Sequence, residues 1–364
     1  MKILNVTPYC ISNYGAMLQA WALRHVLEEF GHQVVYLNYP RIWPGHFGWK
    51  QLLYSRSLAS IRAKIAMNKQ HEVVKHELGG WIETKPYWSV NSLIEDAPSA
   101  DCYLVGSDQV FSLDKMLDFN MGCHALLAFG DRDIPRVAYA ASFGRPSWSR
   151  SEISTAQWAV PYLKRFRAIG LREASGIDIL QNWAGVNGHW TPDPTLLLDR
   201  TDYKKQFSIS FLQSHKPRVF TYMLGFRERP ECNQLYHNAV KSVVKYLGGD
   251  AEVCQADIPR ALSWWLSNLV NADYVITNSF HGICFSILFN RPFLPLGFVG
   301  KDAWRNERAQ RILAVFGLLD RYVTQSNLHS VQNVLSGDFD WNRINSLRIE
   351  LAERGRAFLR QSLK

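Results

Sequence analysis

The sequence predicts an α/β protein of two domains, each built on a parallel sheet. Three observations carry this. Short apolar runs of strand length alternate with amphipathic segments of helix length along almost the whole chain. The chain begins in the order strand, polar loop, helix, glycine, strand, which is that of a βαβ unit. Its 364 residues exceed one ordinary core and suit two.

Ile3 to Thr7 is the first expected strand, and Ser12-Asn13-Tyr14-Gly15 the polar loop after it. In AMLQAWALRHVLEEFG, the residues Met17, Ala20, Trp21, Leu23, Val26, Leu27 and Phe30 recur at helical spacing, and Gly31 supplies the C-cap. QVVYLNY is the next strand. From Trp49 to Trp81 the chain reads as helical and basic (Lys50, Arg56, Arg62, Lys64, Lys69, Lys75). Either an insertion packed on the sheet or an amphipathic membrane-surface helix fits that pattern. DCYLVGSDQVF is a buried strand ending in Gly106-Ser107-Asp108, and PRVAYAASFG another ending in Ser142-Phe143-Gly144. FRAIGLREASGIDIL holds a short strand, with Arg172-Glu173 opening a helix. HWTPDPTLLLD closes the first half at Asp193-Pro194, read as a turn.

A polar, irregular stretch around Ser214 to Pro217 reads as a linker. It divides the chain into an α/β domain over 1–213, with the helical insertion at 49–81, and a second over 214–335. The tail, 336–364, is a charged helix returning to the first domain. In the second half, RVFTYML, DYVITNS and PFLPLGF are strands, and ECNQLYHNAVKSVVKYLGG, SWWLSNLVNA and GICFSILFN are helices. ADCYLVGSD and ADYVITNS echo one another. Two related halves would produce that echo, and so would chance.

Composition narrows the function classes. No apolar stretch approaches the ~18 residues of a membrane span. MKILNVTPYC reads as a first strand, not a signal peptide. The six cysteines are scattered without a CxxC pair, so reduced thiols in a cytoplasmic protein are expected. No HExxH or Cys/His cluster calls for a metal. The formal net charge of +9 suits an anionic substrate or the inner face of an anionic membrane. No RNP, KH or zinc-finger pattern points to nucleic acid.

The stretch ADYVITNSFHGICFSILFNRPFLPLG carries the candidate chemistry. His281 falls at the carboxyl end of an expected strand, where ligands bind in open parallel sheets. It also opens a helix whose first N–H groups favour anions. Gly282 would let a ligand approach the backbone, and Asn278 and Ser279 add polar groups. The alternative is that Ser279 merely caps the helix and His281 is a polar turn residue. Asn13, Gly15, Ser107, Asp108, Ser142, Arg172 and Asp193 fall at other carboxyl ends, which together suggest a cleft.

These motifs resemble the polysaccharide pyruvyl transferase family. The matching pieces run in order: NYGAMLQAWALRHVLEEFGHQVVYLNY, DCYLVGSDQVF, AYAASFG, GLREASG, DPTLLLD, ADYVITNSFHGICFSILFNRPF and NERAQRILAVFGLLDRYV. The resemblance implies two Rossmann-like domains facing a cleft, similar to the GT-B glycosyltransferases. It implies transfer of the pyruvyl group of phosphoenolpyruvate, as co-substrate and without a further cofactor, onto a sugar as a ketal. The acceptor would be a surface glycan or its lipid-linked precursor. On this reading His281 is the general acid/base, since histidine titrates near neutrality. Arg172 is expected to fork onto the donor's carboxylate or phosphate, with Lys301, Arg308, Ser279, Asn278 and Gly282 beside it. Asn13, Tyr14, Gly15, Ser107 and Ser142 are expected on the acceptor, with Asp108 as a second base. Some family members carry arginine where this chain has Ser279. Two other classes remain open: a GT-B-like enzyme using a nucleotide sugar, and a non-catalytic glycan binder.

Overall fold

The computed structural model describes residues 1–7, 13–39, 57–210, 214–225, 230–256 and 260–364. The chain forms two compact units, Met1–Leu198 with Leu351–Lys364, and Asp199–Glu350. The expected boundary at 213/214 lies inside the second unit. The physical reason is the helix Arg200–Gln206, whose buried Tyr203 packs edge-on against Phe285 at 5.1 Å.

In the first unit a six-stranded sheet has the order β2-β1-β3-β4-β5-β6. Its strands are β1 Lys2–Val6, β2 Gln33–Tyr36, β3 Cys102–Val105, β4 Arg136–Ala141, β5 Phe166–Leu171 and β6 His189–Trp190. Every pairing is parallel. Helix α1, Tyr14–Glu29, links β1 to β2. Its apolar residues at helical spacing are all but wholly buried, and Gly31 ends it at φ 81°, where a side chain would be strained. Helix α2, Leu58–Glu77, lies in the expected insertion; residues 49–56 of that insertion fall outside the described residues. Helix α3, Ala174–Ala184, follows β5 and ends at left-handed Gly185.

The second unit holds a four-stranded parallel sheet of β7 Arg218–Tyr222, β8 Glu252–Gln255, β9 Tyr274–Thr277 and β10 Phe293–Pro295, in the order β10-β9-β7-β8. Its helices include α4 Pro230–Tyr246, α5 Leu262–Val270, α6 Phe280–Leu288, α7 Asn306–Val315 and α8 Val331–Ser336. Strand β8 was not legible in the sequence. It is a short edge strand with Val253 44% exposed, so its residues lack the apolar run of a central strand. The last helix, α9, is Trp341–Ser362; within the first unit its Phe358 packs on Tyr139 and His189.

The two sheets share one topology. In each, the first strand is central, the second lies on one side and the third on the other: β2-β1-β3-β4 against β8-β7-β9-β10. The echoing segments are therefore equivalent strands, β3 and β9. This architecture is the expected α/β fold of two Rossmann-like halves. In each sheet the chain reverses direction across the first strand, so a topological switch point lies between β1 and β3 and between β7 and β9.

Candidate functional site

In the second unit, the loops after β7 and β9 flank the switch point, and one side chain joins them. Asn278 Oδ1 accepts from the Leu224 N–H at 2.7 Å, and its Nδ2 donates to the Leu224 carbonyl at 3.0 Å. Thr277 Oγ1 donates to the Tyr222 carbonyl at 2.6 Å and accepts from Ser279 N–H at 3.0 Å. The loop that presents His281 is thus held to the neighbouring strand from two positions.

Ser279 is the N-cap of α6, its hydroxyl accepting from Gly282 N–H at 3.4 Å. His281 occupies the first turn of that helix, 6% exposed, with its ring edge-on to Phe280 at 5.3 Å. The first N–H groups of a helix and its dipole favour negative charge here. Gly282 also has a packing reason. A Cβ there would overlap Thr277 Oγ1 and lie 3.0 Å from Thr277 Cβ, so the glycine lets α6 pack closely on β9. A second asparagine repeats the Asn278 device. Asn306, at the start of α7, bonds both the N–H (2.7 Å) and the carbonyl (2.9 Å) of Phe298 in the loop after β10. Arg308 is half-buried on α7, and Glu307 pairs with Arg311 at 3.4 Å. Lys301 falls in the 3-10 helix Gly300–Arg305, and its side chain lies outside the described residues.

In the first unit, the carboxyl ends of β3, β4 and β5 converge on Arg172, whose side chain is 2% exposed. Its Nη1 donates to Asp193 Oδ2 at 3.0 Å, its Nη2 to Asp108 Oδ1 at 3.4 Å and its Nε to Glu173 Oε1 at 3.4 Å. Ser142 Oγ donates to Glu173 at 2.7 Å, and Ser107 Oγ lies 3.3 Å from Asp193 Oδ2. Burial opposes the charge of Arg172, but Glu173, Asp193 and Asp108 outweigh it and hold its pKa above the ordinary arginine value. The fork expected on a donor anion is therefore turned onto three protein carboxylates. Of the three, Asp108 alone keeps an appreciable open surface: its side chain is 21% exposed, against 7% for Glu173 and none for Asp193.

Asp108 adopts a left-handed φ of 72°, a conformation Asp tolerates better than most residues. Its carbonyl accepts from Ser142 N–H at 2.9 Å and Val110 N–H at 2.7 Å, which fixes the loop. Lys115 reaches the same loop, donating to the Gln109 carbonyl and to Ser112 Oγ. Burial lowers its pKa, with Asp114 and Asp108 opposing the shift. Asn13 caps α1, accepting from Ala16 N–H at 3.2 Å, while Tyr14, Gly15, Ser107 and Ser142 are buried.

One residue of this cluster, Gln19, was missed in the sequence, and Asp193 was placed on the rim but read as a turn. Asp193 is not a plain turn residue: one oxygen accepts from the N–H and hydroxyl of Thr195, and the other faces Arg172 and Ser107. Gln19 lies fully buried in α1, its Oε1 accepting from Ser107 N–H and its Nε2 donating to Thr7. Its signal was a polar residue inside the apolar pattern of a helix. Among the described residues, no cluster of His, Cys, Asp and Glu is arranged to hold a metal ion.

Residues 13–298 match the family model described as polysaccharide pyruvyl transferase. No curated protein sequence matches the chain. Among solved structures, UGT89C1 of Arabidopsis thaliana with UDP-L-rhamnose is similar at 11% identity and TM-score 0.52, covering 100% of this chain and 98% of that one. A UDP co-structure of MnaA from S. aureus has 11% identity and TM-score 0.52, with coverage of 97% and 91%. At these identities the likeness is one of fold, and that fold is GT-B.

Proposed function

Because the chain belongs to the polysaccharide pyruvyl transferase family, we propose that it transfers the pyruvyl group of phosphoenolpyruvate to a sugar as a ketal. The observation that carries this reading is the placement of His281. It stands at a sheet switch point, in the first turn of a helix, on a loop braced by Asn278 and Thr277. A proton carrier beside an anion-favouring helix terminus suits a substrate bearing phosphate and carboxylate.

One sugar hydroxyl adds to C2 of phosphoenolpyruvate and loses its proton, and C3 gains a proton to become the methyl group. The C2–O bond to phosphate then breaks. A second hydroxyl adds to C2, loses its proton and closes the ketal, releasing inorganic phosphate. His281 serves as the group that delivers or removes a proton in these steps. In the first unit, one guanidinium against three carboxylates leaves the Asp108 surface net negative, unsuited to a donor anion and suited to accepting hydrogen bonds from sugar hydroxyls. Arg172 is then a positioning residue that orients Asp108.

Phosphate release from phosphoenolpyruvate tests the proposal, with free and lipid-linked galactose, glucose, mannose and N-acetylmannosamine as acceptors. Acceptor-dependent release with the mass gain of a pyruvyl ketal is expected. His281→Ala should lower turnover by at least ~10²-fold. Absence of phosphoenolpyruvate binding by calorimetry, with binding of a nucleotide sugar instead, would overturn it.

A further inference from the structure

At the other end of the second unit's sheet from His281 lies a cavity of about 530 Å³. Asp273 precedes β9 and Pro292 precedes β10, so the cavity opens at the amino ends of the strands. Its volume falls within the roughly 300–1,000 Å³ typical of small-molecule clefts. Three of its aromatic side chains keep open surface: Tyr246 is 51% exposed, and Phe339 and Trp341 are half-buried.

The aromatic wall is preformed. Phe339 and Trp341 stack in parallel, with centroids 4.7 Å apart and planes 5° from each other. The Arg321 guanidinium, from a residue 4% exposed, packs 3.8 Å from the Phe339 centroid. It also donates to the Val334 carbonyl at 2.7 Å and the Gly337 carbonyl at 3.1 Å, tying the wall to the end of α8. Tyr246 meets the buried Tyr274 edge-on at 6.2 Å. Two carboxylates, Asp273 and Asp338, also line the cavity.

We infer that this cavity is a second carbohydrate site, taking one neutral hexose or N-acetylhexosamine ring of a glycan. With the faces of Phe339 taken by Arg321 and Trp341, it is the partly exposed rings of Trp341 and Tyr246 that suit the apolar C–H face of a pyranose, and the carboxylates accept from its hydroxyls. Two carboxylates against one guanidinium disfavour an anionic ligand. Neither donor chemistry nor His281 has a part in it. A polymer held here and at the site of transfer would gain from linkage of the two contacts. The inference uses the family's polysaccharide acceptor but not the identity of the donor.

Saturation-transfer NMR without phosphoenolpyruvate, using the methyl glycosides of glucose, galactose, mannose and N-acetylmannosamine, tests it. At least one probe should bind both the wild type and His281→Ala. Tyr246→Ala and Asp338→Ala, both at exposed positions, should each weaken that binding about 10-fold. Failure of all four probes to bind, or unchanged affinity in both cavity variants, would overturn the inference. Because no donor is present, its failure is distinct from failure of the pyruvyl-transfer reading.

Discussion

Arg172→Met would leave Asp193, Glu173 and Asp108 without their shared counter-charge. These lie 3.0, 3.4 and 3.4 Å from the guanidinium, and the first two are almost wholly buried. Removing one partner of a buried ion pair costs roughly 3–5 kcal/mol, because the other charge remains in a poorly solvated place. For a unit of this size each 1 kcal/mol moves the melting temperature by about 2–4 °C. The expected drop is therefore roughly 6–20 °C. Arg172→Lys keeps a charge, but the three donors of an ammonium leave from one atom and cannot span three carboxylates, so a smaller drop follows. Thermal unfolding measures the loss, and hydrogen exchange across β3, β4 and β5 locates it. If Arg172→Met melts within about 2 °C of the wild type while its KM for phosphoenolpyruvate rises tenfold or more, the positioning role fails and Arg172 is a donor ligand.

Three further outcomes are expected. Gly282→Ala should destabilise the second unit by about 1–3 kcal/mol in urea unfolding, because the new methyl overlaps Thr277; an unchanged midpoint would refute the close-packing account. His124 is fully buried, and burial, aided by Lys115, pushes its pKa down to about 3. The unfolded chain therefore takes up that proton first, and the stability present above about pH 6.5 is lost as pH falls toward the folded value, by roughly 2 kcal/mol between pH 6.5 and 5. His124→Leu should flatten this slope, though His32, also lowered by burial, adds in the same direction; an equally steep slope in the variant would remove His124 from the account. Helix α2 exposes Leu58, Ile65 and Val73 together with Arg62 and Lys69, so anionic vesicles should sediment the protein at low salt and release it at high salt. No cosedimentation would leave the insertion without a membrane role. Among the described residues, no helix is long and apolar enough to cross a membrane.

Much of the architecture was legible because strand and helix periodicity are local properties. The alternation of apolar runs, Gly31 after α1 and the apolar core of β9 and α6 depend on neighbours a few residues away. The position of His281 was legible for the same reason: a strand end, a capping serine and a helix start are contiguous in sequence. What eluded the sequence is long-range. The polar edge strand β8 hides its membership of the sheet, yet its position beside β7 creates the switch point next to His281. The carboxylate partners of Arg172 were not legible, because Asp193 and Asp108 are 21 and 64 residues away. The close packing of Gly282 on Thr277 is nearer in sequence, but it shows only once α6 lies against β9. Local patterning fixes the kinds of element and their order. Tertiary structure alone decided which charges share one buried place, because the desolvation that makes such pairing necessary exists only once the sheet has assembled.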